Sequence, residues 1–173
     1  MRLLAFTLLG TLALLPQAAR AEETKCDLKV GSKAPPFSIS MSDGSEGVVL
    51  RKALAKGKPV VVAFWAYHCK PCQHELPILQ KLSDELGDQV TFLLIHDGPD
   101  ETLMKAKLTE LKITLPSASD DTRAKEERYC VRELPRTFVL DHEGIVRAIF
   151  ETADEPKLRD QLVQLGVAAA RKS

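Results

Sequence analysis

Apolar and polar positions change rhythm several times along the chain. Residues 3–15 are an almost unbroken apolar run, broken by Pro16. Residues 22–36 are mostly polar and end in Pro35-Pro36, so they read as an extended lead-in. Phe37-Ser38-Ile39-Ser40-Met41 alternates apolar with polar, the period of a half-buried strand. Asp43-Gly44 predicts a turn, and Val48-Val49-Leu50 the returning strand of a hairpin. Residues 52–56 suit a short helical turn closed by Gly57. Val60–Trp65 is apolar on both alternating faces, as in a central strand covered on two sides.

After Cys72 the period becomes helical. Leu76, Leu79, Leu82 and Leu86 recur on one side, Gly87 supplies a stop, and Pro77 predicts a kink. Residues 90–95 read as a second buried strand, 99–112 as an amphipathic helix, 115–118 as a short strand and 120–129 as a polar helix. Residues 137–140 and 145–150 flank Asp141-His142-Glu143-Gly144, which predicts an antiparallel hairpin. Residues 155–170 close the chain as a helix. A βαβ unit, more helix, a hairpin and a last helix predict an α/β fold, one mixed sheet with helices on both faces.

Composition changes this picture little. The chain has 173 residues, 45% hydrophobic and 28% charged, with zero formal net charge. That balance points to neither nucleic acid nor an anionic membrane surface as partner. The N-terminus changes more. Arg2, the apolar run and Ala19-Arg20-Ala21 form the pattern of a secretory signal peptide over residues 1–21. The run is shorter than the roughly 20 residues that span a bilayer, so no tight membrane insertion is expected after cleavage. An uncleaved N-terminal membrane anchor is the alternative. Export means a periplasmic or other extracytoplasmic, oxidising location, where cysteines tend to pair. Cys26, Cys69, Cys72 and Cys130 all lie beyond the cut.

The candidate chemistry sits where the period changes, at His68-Cys69-Lys70-Pro71-Cys72. A strand running into a helix places Cys69 at the helix N-terminus, where free amide groups and the positive dipole end favour an anion. A thiolate is such an anion. Pro71 suits a first turn, since its missing N–H would have no partner there. Cys72 lies one turn inward. The roles follow: Cys69 attacks a substrate disulfide and Cys72 resolves the mixed disulfide. His68, Cys69, Cys72 and His74 do not match a zinc spacing, and residues 69 and 74 of a helix point about 140° apart. No metal is therefore assigned, and the Cys pair itself carries the electrons without an organic cofactor. A copper-binding chaperone remains the alternative from another class.

These residues resemble the thioredoxin superfamily, in particular its exported thiol–disulfide oxidoreductases of the TlpA/ResA/CcmG type. The resemblance rests on Ala63-Phe64-Trp65-Ala66, the Cys69–Cys72 motif and Glu75-Leu76-Pro77. It continues through Tyr129, Val131, Arg132, Leu134-Pro135, Thr137-Phe138, Asp141 and Gly144. It covers roughly residues 30–170 and implies a thioredoxin-like domain over 37–173, with an N-terminal β-hairpin extension. It implies a cis Pro135 beside Cys69, a Leu134 backbone that pairs with substrate, and Trp65 packed under the site or simply in the core. Glu75 shares a helix face with Cys72 and is either its general base or a solvated glutamate. Protein disulfides would be the substrates, in cytochrome c maturation or another folding clientele, with a membrane-embedded donor resetting the pair. A thiol peroxidase is the weaker enzymatic alternative, since Tyr67-His68 offers neither the Thr nor the Pro such sites place before the attacking Cys.

The chain also departs from that pattern. His68 replaces a common Trp and is either a cationic group tuning Cys69 alongside Lys70 and Pro71, or an exposed loop residue. Cys130 replaces a usual Gly at a helix end that suits positive φ. A Cys26–Cys130 disulfide would offset that cost; a regulatory thiol is the other reading.

Overall fold

A computed structural model describes residues 26–41, 47–120 and 124–168. The expected signal segment 1–21 and the Asp43-Gly44 turn lie outside the described residues.

The elements run β1 (Ser38–Ile39), β2 (Val48–Val49), α1 (Leu50–Leu54), β3 (Val60–Trp65) and α2 (Lys70–Leu86). They continue with β4 (Thr91–Asp97), α3 (Glu101–Glu110), β5 (Ser117–Asp120), α4 (Ala124–Glu127), β6 (Arg136–Leu140), β7 (Val146–Phe150) and α5 (Glu155–Gln164). β1 and β2 form the small antiparallel N-terminal sheet. The other five strands lie in the order β5-β4-β3-β6-β7. β3, β4 and β5 are parallel, whereas β6 and β7 join as antiparallel strands.

β3 is central, and all six of its side chains are buried. Alternation sorts them onto two faces. Ala63 is the register partner of Thr137, whose hydroxyl bonds Glu75 on α2, so this parity faces α2. Phe64 and Phe138 have the opposite parity and meet Tyr129, which in turn meets Phe37 of the lead-in. α5 joins α2 on the first face through Arg159 to Glu85 and Lys81 to Glu155. α4 lies on the second face, where Lys125 pairs with Asp97 at 2.8 Å.

Side chains and special backbone positions set the element ends. Asp100 and Asp154 accept the Leu103 and Lys157 amides and cap α3 and α5. Gly166, at φ 83°, follows the end of α5, which therefore stops well before residue 170. The expected helix over 120–129 shortens to α4. Asp120 instead ends β5 and accepts the Lys125 amide at 2.8 Å, a side-chain bond that competes with helix. The predicted strand at 115–118 correspondingly moves to Ser117–Asp120. Pro77 stands on the exposed face of α2, and the helix continues through it to Leu86.

The lead-in is tied to the sheet. Gly31 and Ala34 donate to Val146 and Gly144 carbonyls, and Lys33 bridges Ile145 at the β7 edge. Tyr129 Oη donates to the Pro35 carbonyl at 2.8 Å. Cys26 and Cys130 are joined by a disulfide with Cα atoms 5.4 Å apart. Cys130 has φ +58°, a left-handed conformation that non-glycine residues adopt at a cost. The residue that replaces a usual glycine therefore keeps the glycine's backbone.

Candidate active site

β3 delivers Trp65 to one end of the sheet, and Ala66-Tyr67-His68 forms the turn into α2. The turn is held locally: the Cys69 amide donates to the Ala66 carbonyl at 3.0 Å, and Gln73 Nε2 donates to the Tyr67 carbonyl at 2.7 Å. Cys69 is the N-cap of α2 in extended conformation, and its sulfur accepts the Cys72 amide at 3.2 Å. A sulfur thus occupies the place that a Ser or Asp oxygen usually takes. Pro71 sits in the first turn, where the helix needs no amide from it.

Cys69 and Cys72 form a disulfide with Cα atoms 5.3 Å apart. Cys69 is half-buried, while Cys72 has no exposed surface. His68, Lys70 and Pro71 are exposed around them. The antiparallel register sets Arg136 opposite Phe64, so β6 starts beside the end of β3. The peptide before it, Leu134–Pro135, is cis. Leu134 is half-buried, and Pro135 is buried.

Three residues after Cys72 on α2 stands Glu75, a carboxyl only 2% exposed. Its Oε1 accepts the Thr137 hydroxyl at 2.5 Å, and Oε2 has no hydrogen-bond partner. Burial pushes its pKa up to about 7, against the smaller downward pulls of the Thr137 hydroxyl and the Ala153 backbone amide. It is therefore not a solvated glutamate. A carboxyl titrating near neutrality can both take and return a proton under working conditions.

Residues 30–149 match the model of the AhpC/TSA family. The chain belongs to this family. A thiol-disulfide oxidoreductase ResA from Geobacillus thermodenitrificans is 32% identical over 126 residues, covering 72% of this chain and 71% of the relative. The thioredoxin-like protein YneN of Bacillus subtilis is 28% identical over 141 residues, 80% of this chain and 81% of the relative. A solved structure titled as a candidate thiol:disulfide interchange protein DsbE from Chlorobium tepidum superposes with a TM-score of 0.71 at 23% identity. The match covers 80% of this chain and 99% of that one. The fold is thioredoxin-like, a mixed five-stranded sheet with helices and a two-stranded N-terminal sheet.

Within this AhpC/TSA chain, Trp65 is buried at the end of β3 that leads into the Cys pair and presents no surface to a client. It is 1% exposed, on the α2 side of β3, and packs edge-on against the buried His96 ring at 5.1 Å. Tyr67 stacks on the same imidazole, with His68 edge-on against Tyr67. Burial lowers the His96 pKa, which favours the neutral ring. Among the described residues, no group of three or more His, Cys, Asp or Glu side chains is arranged to hold a metal.

Thr137 carries no assigned role in the sequence beyond its part in the resemblance, and the structure makes it the hydrogen-bond partner of Glu75. Its signal was a hydroxyl at an inward position of an otherwise apolar strand, Thr137-Phe138-Val139-Leu140. Such a group needs a buried partner, but the sequence does not say which one.

Proposed function

We propose that the Cys69–Cys72 pair reduces protein disulfides outside the cytoplasm. The chain is a thiol–disulfide oxidoreductase; its ResA-named relative and its redox-paired cysteines support that class. The observation that carries the mechanism is Cys69 Sγ at the N-cap of a 17-residue helix, accepting the Cys72 amide. In the reduced protein the same amide and the helix dipole favour the Cys69 thiolate.

The thiolate attacks one sulfur of a client disulfide, and the other client sulfur leaves as a thiolate that takes a proton from water. Glu75 accepts the Cys72 proton, and Cys72 Sγ attacks Cys69. The Cys69–client bond breaks as the Cys69–Cys72 bond forms. The client gains two electrons, and the pair is left as a disulfide. A dithiol donor, membrane-embedded in this reading, returns the two electrons. Leu134 and Pro135 form the client edge, with the Leu134 backbone pairing to the extended client chain. His68 in its cationic form adds to thiolate stability. Cytochrome c maturation is one clientele that fits the ResA likeness.

The residue 1–21 pattern supports export, and among the described residues no helix is long and apolar enough to cross a membrane. The deciding experiment equilibrates the Cys69–Cys72 pair with glutathione buffers and follows insulin reduction. A potential below the glutathione pool with insulin turnover supports a reductase. A potential near the strongly oxidising end of the known range reverses the direction. Peroxide consumption without insulin turnover replaces the reading with a peroxidase. Copper(I) binding without either activity replaces it with a metal chaperone. An unchanged Cys69 thiolate titration in His68→Trp removes the tuning role of His68.

A further inference from the structure

The proton that leaves Cys72 has to reach a carboxyl oxygen that is free to take it. Glu75 offers two oxygens in unlike settings: Oε1 is occupied by the Thr137 hydroxyl at 2.5 Å, and Oε2 is buried without a partner. Thr137 itself has no exposed surface. Its hydroxyl donates to Glu75, so it presents a hydrogen to Oε1 and stabilises the ionised form of the carboxyl.

We propose that Thr137 is a positioning residue for the resolving step: its hydroxyl holds Glu75 through Oε1 and reserves Oε2 as the oxygen that takes the Cys72 proton. This rests on the reading of Glu75 as the base. It adds a second element to a proton transfer that would otherwise belong to α2 alone. Thr137 lies on β6 two residues after Pro135, so the strand that begins at the client edge also holds a carboxyl of the helix that carries the Cys pair.

Few groups face this carboxyl. β6 contributes Thr137, the segment before α5 contributes the Ala153 amide, and α2 carries Cys72 three residues earlier on the same side of the helix. Burial, the Thr137 hydrogen bond and the weaker pull of the Ala153 amide, which makes no hydrogen bond to Oε2, act on Glu75 among the described residues. Burial favours the neutral acid, and the hydroxyl opposes it. Without the hydroxyl the carboxyl would be neutral over a wider pH range and free to rotate.

The chemistry of the step is unchanged by Thr137. One proton passes from Cys72 Sγ to Glu75 Oε2. The Cys69–client disulfide breaks, the Cys69–Cys72 disulfide forms, and the client leaves as a thiolate. What Thr137 sets is the fraction of molecules whose Glu75 is ionised and aimed.

The test is the pH profile of single-turnover disulfide-peptide reduction in Thr137→Val, Thr137→Ser and Glu75→Gln, followed by Trp65 fluorescence. A carboxyl-13C NMR titration of Glu75 accompanies it. Thr137→Val should move the Glu75 titration and the acid limb of the profile upward by about one pH unit, lowering the rate near neutrality about fivefold. Thr137→Ser keeps the donor and should restore both. If Thr137→Val does not fold, Thr137→Ala is read in its place. A Glu75 titration and acid limb unmoved by loss of the hydroxyl, in a profile that Glu75→Gln does change, overturns the role of Thr137 alone. A profile that Glu75→Gln leaves unchanged overturns the base reading, and this proposal with it.

Discussion

The molecule holds two disulfides of the same bond chemistry, and their surroundings divide them. Cys69–Cys72 closes a separation of three residues, whereas Cys26–Cys130 closes one of 104. Exposure does not separate them, since Cys69, Cys26 and Cys130 are all half-buried. An accepted amide does not either, since Cys130 Sγ takes the Leu28 N–H at 3.3 Å and Cys69 Sγ takes the Cys72 N–H at 3.2 Å. What differs is the backbone that carries each sulfur. Cys69 caps the positive end of a 17-residue helix, where a leaving or attacking thiolate is favoured. Cys130 follows the C-terminal side of a four-residue helix, in a left-handed conformation, with nothing comparable to hold an anion. One bond is placed to open and close. The other removes freedom from the unfolded chain and pins the lead-in.

Replacing the cysteines of each bond separately tests the two roles. Cys69→Ser should lower insulin-reduction turnover at least about a thousandfold, because the attacking thiolate is gone. Surviving turnover would transfer the attack to Cys72. The double change Cys26→Ser with Cys130→Ser should leave turnover within about twofold and lower unfolding stability by about 4 kcal/mol, read from denaturant midpoints. Parallel loss of turnover would instead place the second pair on the electron path.

Glu75 extends the contrast to pH, since its buried carboxyl lies on the helix that Cys69 caps. Its pKa is about 7 in the folded protein against an ordinary 4.5, so the folded state prefers it protonated. The stability this contributes is fully present below the unfolded value and is lost as pH rises through the folded one. Glu75→Gln does not titrate. Relative to it, the wild type should lose on the order of 2–3 kcal/mol between about pH 4 and about pH 8, measured as melting shifts. Equal pH slopes in the two proteins would contradict the buried, raised carboxyl.

The smallest effect separates the staple from its backbone cost. With Cys26→Ser as background, Cys130→Gly should be about 1 kcal/mol more stable than Cys130→Ser, because glycine adopts the positive φ freely. Equal stabilities would mean that the loop relaxes once the bond is gone.

Much of the catalytic end was legible from local rules. Val60–Trp65 reads as a buried strand because every side chain in it is apolar, and Leu76, Leu79, Leu82 and Leu86 read as a helix because they repeat on one side. Together they place Cys69 at a helix start. Boundaries fared worse wherever a side chain competed with the backbone. Asp120 looks like a helix start and instead ends a strand while accepting the Lys125 amide. Trp65 reads equally as packed under the site or as an ordinary core residue, and only the tertiary structure gives its neighbours, on the α2 side of β3 against His96.

The order of elements, the Cys pair and the place of Cys69 at a helix start lie in the sequence itself, because periodicity and helix-end electrostatics act over a few residues. The environment of Glu75 does not. Its neutral-range titration depends on burial beneath β3 and on a hydroxyl 62 positions away. The pairing of Cys26 with Cys130 likewise depends on the lead-in reaching the far side of the sheet. These properties come from groups distant in sequence being brought together, and packing alone sets the desolvation and contacts that define them.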